Sequence, residues 1–126
     1  MQKFRIYLSF IFIISYICSS DLISQDIKHP EWSYNKTIYE VNIRQISEEG
    51  TFKAFEEHLP RLKEMGVGII WLMPIHPIGE KNRKGTLGSY YSVKDYFAID
   101  SSYGTPEEFK SLVNKVHESE MYIIMD

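Results

Sequence analysis

The side chains best suited to chemistry gather in residues 88–113, GSYYSVKDYFAIDSSYGTPEEFKSLV. Tyr90, Tyr91, Tyr96 and Phe97 supply flat aromatic faces, Asp95 and Asp100 supply carboxylates, and Gly104 supplies a turn. An aromatic face can stack on the apolar C–H surface of a ring ligand such as a sugar, or it can fill a core; residue types alone leave both readings open. Asp95 and Asp100 carry short side chains that bond backbone N–H groups two residues on, so shaping the loop is their expected role. A loop of this length inside a domain is functional or disordered. The run Tyr96-Phe97-Ala98-Ile99 is expected to be buried, which argues against disorder. A ligand is expected to touch here.

Other chemistry-bearing residues read more plainly. His76, between Ile75 and Pro77, can face a cleft, but a hydrogen-bonded loop histidine is the simpler reading. His58 and His117 fall on helical patterns and are expected to face solvent or a neighbouring helix. No set of His, Cys or carboxylates has zinc spacing, and no metal ligand is assigned. Residues 81–85, KNRKG, lack a glycine-rich phosphate cradle and read as a solvated tip.

The elements that position these residues alternate along the chain. Residues 38–43 alternate apolar and polar and predict a first strand. The turn 47–50, SEEG, is followed by Thr51 as a helix cap. Phe52, Phe55, Leu59, Leu62 and Met65 then fall on one helical face, with a bend expected at Pro60 and a stop at Gly66. Residues 67–73, VGIIWLM, form an apolar run halted by Pro74, which is typical of a strand covered on both faces. After the long loop, 74–104, Thr105-Pro106-Glu107-Glu108 announces a capped helix with Phe109, Leu112, Val113 and Val116 inward. Residues 121–125, MYIIM, make a third strand, and Asp126 follows it. Strand-helix alternation of this kind means parallel strands in an α/β fold. In such folds function sits at the carboxyl ends of the strands. The long loop leaves that end of the second strand, and Asp126 stands at that end of the third.

The 126 residues carry a net charge of −3, so composition gives no footprint for nucleic acid. Lys3 and Arg5 precede an apolar run, 6–17, and then Cys18-Ser19-Ser20, the pattern of an export signal over residues 1–20. The run is short for a membrane span, and an uncleaved anchor or a lipid on Cys18 are the other readings of the same residues. Any membrane contact is expected only through these. Cys18 is the single cysteine, which excludes an internal disulfide. Residues 21–36 are polar, contain Pro30, and read as a linker ahead of the domain at 37–126. Asn35-Lys36-Thr37 matches a glycosylation sequon.

Three stretches carry a family resemblance, from Trp32 to Asp126. GIIWLMPI (68–75) is similar to a second barrel strand, residues 88–113 to the loop and helix after it, and MYIIMD (121–126) to the start of the third strand motif. In that order and spacing they resemble the α-amylase family, glycoside hydrolase family 13. The resemblance implies a (β/α)8 TIM barrel, of which this chain would hold the first three strands and two helices. It also implies cleavage of α-glucosidic bonds in starch-like glucans or maltooligosaccharides with retention, using a nucleophile and an acid/base carboxyl group. In the family these come from strands 4 and 5, with an Asp after strand 7, so no catalytic residue is assigned here. The chain is expected to be the amino-terminal part of a longer exported enzyme and inactive alone.

By the same resemblance Tyr91 matches the tyrosine that stacks on the sugar in the cleavage subsite. Asp126 matches the aspartate that helps hold the catalytic arginine and nucleophile. Tyr90 stands where many members have glycine. Residues 47–50 lack the aspartate-rich calcium loop of many members, and no calcium site is read there. Glu120 stands where members often end the helix with glycine, so a left-handed backbone is expected of it. A branching or transglycosylating enzyme, or a non-catalytic amylase-like domain on a membrane anchor, would share these segments.

Overall fold

The sheet forms because two helical connections each return the chain to run parallel beside the strand before it. The computed structural model describes residues 28–126. The export signal read over residues 1–20, with Cys18, lies outside the described residues. The elements belong to the unit Glu31–Asp126. They are β1 (Thr37–Val41), α1 (Ile43–Ile46), α2 (Phe52–Glu56), α3 (Leu59–Glu64), β2 (Val67–Leu72), α4 (Pro106–Glu118) and β3 (Tyr122–Met125), after a 3-10 turn at Glu31–Ser33. The sheet order is β1-β2-β3 and both pairings are parallel. Val41 pairs with Leu72 and Leu72 with Met125, so the carboxyl ends of the strands are level.

The two faces of the sheet differ. On one, Val41, Ile70 and Leu72 are buried under Phe52, Phe55, Leu59, Leu62, Leu112 and Val116 of the helices. On the other, Ile38, Glu40, Trp71 and Ile124 alternate with them in register, and Ile38 and Ile124 are exposed. Alternation along a strand dictates this split. Trp32, in the polar lead-in, stacks on Tyr122 with ring centroids 4.0 Å apart.

Four details differ from the sequence expectations. The first strand stops at Val41, because Asn42 turns the chain: its side-chain oxygen accepts from Arg44 N–H at 3.1 Å and caps α1. Ile43 is therefore the buried first residue of a helical turn and not the end of a strand. The bent helix expected around Pro60 is two helices. Glu57 and His58 close α2 with bonds to the carbonyls three residues back, and Pro60, lacking an N–H, sits in the first turn of α3 where none is needed. Met65, expected on the buried face, lies past the end of α3 and is exposed.

The fourth difference bears on the site. Tyr96 and Phe97, expected to be buried, are 70% and fully exposed, and only Ile99 of that run packs on the core. The loop returns alongside its own start. Ile78 and Val93 form an antiparallel bridge, Lys94 N–H donates to Pro77 O at 2.8 Å, and Asp100 N–H donates to Ile75 O at 2.9 Å. Those bonds hold both ends of 94–100, and Asp95 Oδ1 accepts from Phe97 N–H at 2.8 Å, so the aromatic pair stands at an outward apex.

The helix α4 begins as its sequence predicts. Thr105 Oγ1 accepts from Glu108 N–H at 3.2 Å, and Glu108 Oε2 accepts from Thr105 N–H at 2.8 Å. It ends in a Schellman motif: Met121 N–H donates to Val116 O at 3.1 Å and Glu120 N–H to His117 O at 2.9 Å. Glu120 holds φ at +60°, the left-handed conformation expected of it. Its ion pair with Lys63 at 3.1 Å is exposed and adds little. Glu120→Gly is therefore expected to stabilise the chain by about 1 kcal/mol, read as a raised midpoint in urea unfolding; a lowered midpoint would contradict the strain argument.

Candidate functional site

The hydrogen-bond ladder continues past the strand ends and builds a rim. Met73 N–H donates to Val41 O at 2.9 Å, and Asp126 N–H donates to Leu72 O at 3.0 Å. The second bond fixes Asp126 directly after β3, beside the carboxyl end of β2. Tyr91, on the loop that leaves β2, reaches the same point: its hydroxyl donates to Asp126 Oδ2 at 2.8 Å. Tyr91 and Asp126, the two site residues singled out in the sequence, are thus brought together. The Tyr91 ring stays 60% exposed, with its hydroxyl held and its face open.

That bond also sets the electrostatics. The carboxylate holds the phenol proton and raises the Tyr91 pKa, with burial and the negative charges of Asp126 and Glu40 pushing the same way. Glu40 lies on the face of β1 opposite Val41, in register with Trp71. The sequence reading did not single it out, although strand alternation opposite Val41 was the available signal.

His76 has the simpler of its two readings. Its Nδ1 lies 2.8 Å from the Ala98 carbonyl, which only accepts, so Nδ1 donates in this contact. Its ring meets Tyr96 edge-on at 5.7 Å and supports that exposed aromatic. His58 lies against Phe55 on the helix side, and His117 is exposed in the last turn of α4; neither reaches the rim. Asp95 and Asp100 both accept from backbone N–H groups two residues on, as their side-chain length predicted. Residues 81–85 are exposed.

Arg44 is a second residue that the sequence reading missed. It follows β1 and lies over two tyrosine rings, Tyr90 at 4.8 Å and Tyr103 at 5.6 Å. Burial raises the Tyr103 pKa, and the Arg44 charge pulls it part of the way back. The position of Arg44 just after a strand end was its only local mark. Among the described residues no group of three His, Cys, Asp or Glu is placed to hold a metal.

The chain therefore presents a parallel sheet with helices on one face and a tyrosine–carboxylate pair on its carboxyl rim. Residues 25–126 match the family model of the alpha-amylase catalytic domain. The chain belongs to the alpha-amylase family. An alpha-amylase from Lactobacillus plantarum has a similar crystal structure, with TM-score 0.71 and 49% identity over 73% of this chain and 22% of that one. A malto-oligosyltrehalose trehalohydrolase from Saccharolobus solfataricus is 34% identical over 113 residues, covering 85% of this chain and 19% of that protein. A 1,4-alpha-glucan-branching enzyme from Yarrowia lipolytica is 35% identical over 103 residues, covering 79% of this chain and 14% of that protein. The chain spans a fifth or less of the length of these curated relatives. In this alpha-amylase-family chain the three parallel strands, with α2, α3 and α4 packed on one face, correspond to part of a (β/α)8 barrel.

Proposed function

We propose that this chain forms the opening strands of a retaining enzyme that cleaves α-glucosidic bonds in starch-like glucans or maltooligosaccharides. The carrying observation is the hydrogen bond from Tyr91 to Asp126 on the carboxyl rim. It holds an exposed aromatic face at the end of a parallel sheet, where a pyranose ring can lie on it. In this reading Tyr91 binds the sugar and Asp126 holds the charged groups that carry the reaction. The nucleophile and the acid/base are, on the same reading, not among these residues, and the 126 residues alone are expected to leave glucan uncleaved. The basic start and apolar run of residues 1–20 support export of the enzyme. A branching or transglycosylating enzyme is the second reading, favoured by the 35% identity to a branching enzyme. Both readings share one retaining chemistry and differ in whether water or a sugar hydroxyl accepts the glycosyl group.

The test uses a protein in which this chain continues past Asp126, incubated with a maltooligosaccharide and followed by proton NMR of the first product. The α-anomer formed first supports the proposal, and the β-anomer formed first overturns it. Longer or branched products in place of short ones select the transferase reading. Absence of any bond cleavage selects a non-catalytic, amylase-like domain.

A further inference from the structure

The tyrosine that meets Asp126 sits on a turn gripped from both edges of the sheet. In the turn 89–92, Ser92 N–H donates to Ser89 O at 3.0 Å, and Tyr91 N–H donates to Ser89 Oγ at 3.3 Å. Its base is tied to the outgoing chain by Gly79 N–H, which donates to Ser92 O at 2.6 Å. A Cβ on Gly79 would lie 3.2 Å from that oxygen, so the two backbones are about as close as a side chain would allow. The tip then offers two side chains. Tyr91 goes to Asp126, just past the edge strand β3. Tyr90 goes to Arg44, just past the edge strand β1, with its ring centroid 4.8 Å from the guanidinium.

Arg44 is itself held. Its N–H is bonded to Asn42 Oδ1, and Gly50 packs against its carbonyl so closely that a Cβ there would lie 3.0 Å from the oxygen. Its guanidinium also meets Tyr103, a buried ring of the core, at 5.6 Å. One planar cation therefore links a fixed core ring to a loop ring. A guanidinium suits this because it stacks on aromatic faces with a flat, weakly hydrated surface, and an ammonium lacks that surface.

We propose that Arg44 is a positioning residue for Tyr91: by holding Tyr90 it sets the turn 89–92 in the orientation that delivers the Tyr91 hydroxyl to Asp126. The inference rests on the reading of Tyr91 and Asp126 as the substrate-side pair, but its test needs no glucan. If the clamp behaves as expected and the extended protein cleaves nothing, the clamp stands and the substrate reading falls. The converse result separates them in the other direction.

The test follows the titration of Tyr91 by NMR in the full 126-residue chain carrying 13Cζ-labelled tyrosine, with the resonance assigned through Tyr91→Phe. Asp126→Asn should lower the Tyr91 midpoint, because the carboxylate that holds the proton is gone. Arg44→Ala should lower it toward the Asp126→Asn value. The sign is decisive, since loss of a cation that acts through charge alone would raise a phenol's midpoint. Tyr90→Ala, on the turn, should reproduce the fall and keeps the test open if Arg44→Ala does not fold. Tyr90→Phe, which keeps the ring, should leave the midpoint in place, and Arg44→Lys should lower it despite keeping the charge. A midpoint unchanged or raised in Arg44→Ala, or unchanged in Tyr90→Ala, overturns the proposal. So does an Asp126→Asn variant that leaves the midpoint where it was, because the bond that the clamp serves would then be absent.

Discussion

Phe52→Ala is expected to lower the unfolding free energy by about 3–5 kcal/mol, the usual range for truncating a buried aromatic side chain. Phe52 is fully buried at the start of α2 and packs on Phe109 of α4 at 5.3 Å and on Tyr103 at 6.0 Å. It therefore joins the first helical layer, the second, and the end of the long loop. Its backbone N–H also donates to Tyr103 O at 2.9 Å, a bond that survives the substitution, so the loss is one of packing and cavity formation. Against a typical total stability of about 5–15 kcal/mol, this is a large fraction. Phe97→Ala is the matched control. The same side chain is removed from a fully exposed site, and the change should stay within about 0.5 kcal/mol. Chemical unfolding of both variants decides the matter, and similar losses in the two would show that the assignment of inside and outside is wrong.

Asp126→Asn is expected to lower kcat about 100-fold with little change in KM, in the extended enzyme of the proposed reading. Asparagine keeps the shape and an oxygen that can accept from Tyr91, so the variant removes charge and leaves the 2.8 Å contact possible. A carboxylate whose task is to orient charged groups in the reaction stabilises the transition state more than the bound substrate, and its loss falls on kcat. Tyr91 separates the other two contributions. Tyr91→Phe keeps the stacking face and loses the hydroxyl, and should cost roughly tenfold, as for a hydrogen bond to a charged group. Tyr91→Ala also loses the face and should raise KM. Steady-state kinetics on a maltooligosaccharide give both parameters. A wild-type kcat in Asp126→Asn would remove Asp126 from the site.

Elements set by near neighbours were legible in the chain itself. The apolar run at 67–73 and the capping box at Thr105–Glu108 appear in the structure as β2 and α4 with little change, because their signals lie within one strand or one helical turn. The left-handed Glu120 was legible for the same reason. Failures came where two local signals competed. Asn42 could continue a strand or cap a helix, and its side chain chose the cap. Pro60 could bend one helix or start a second, and the missing N–H was accommodated at a helix start. Tyr96 and Phe97 misled because apolar character alone does not say which way an apex points. That direction came from backbone bonds between 94–100 and 75–77.

The sequence by itself determined the three strands, the capped helix α4 and the parallel sheet, because periodicity and capping are interactions between residues a few positions apart. Only the tertiary structure decided that Tyr91 meets Asp126, 35 residues away, and that Arg44 lies on Tyr90. Those contacts depend on strand register and on how the loop folds back on its own start, neither of which is written in any one stretch of chain.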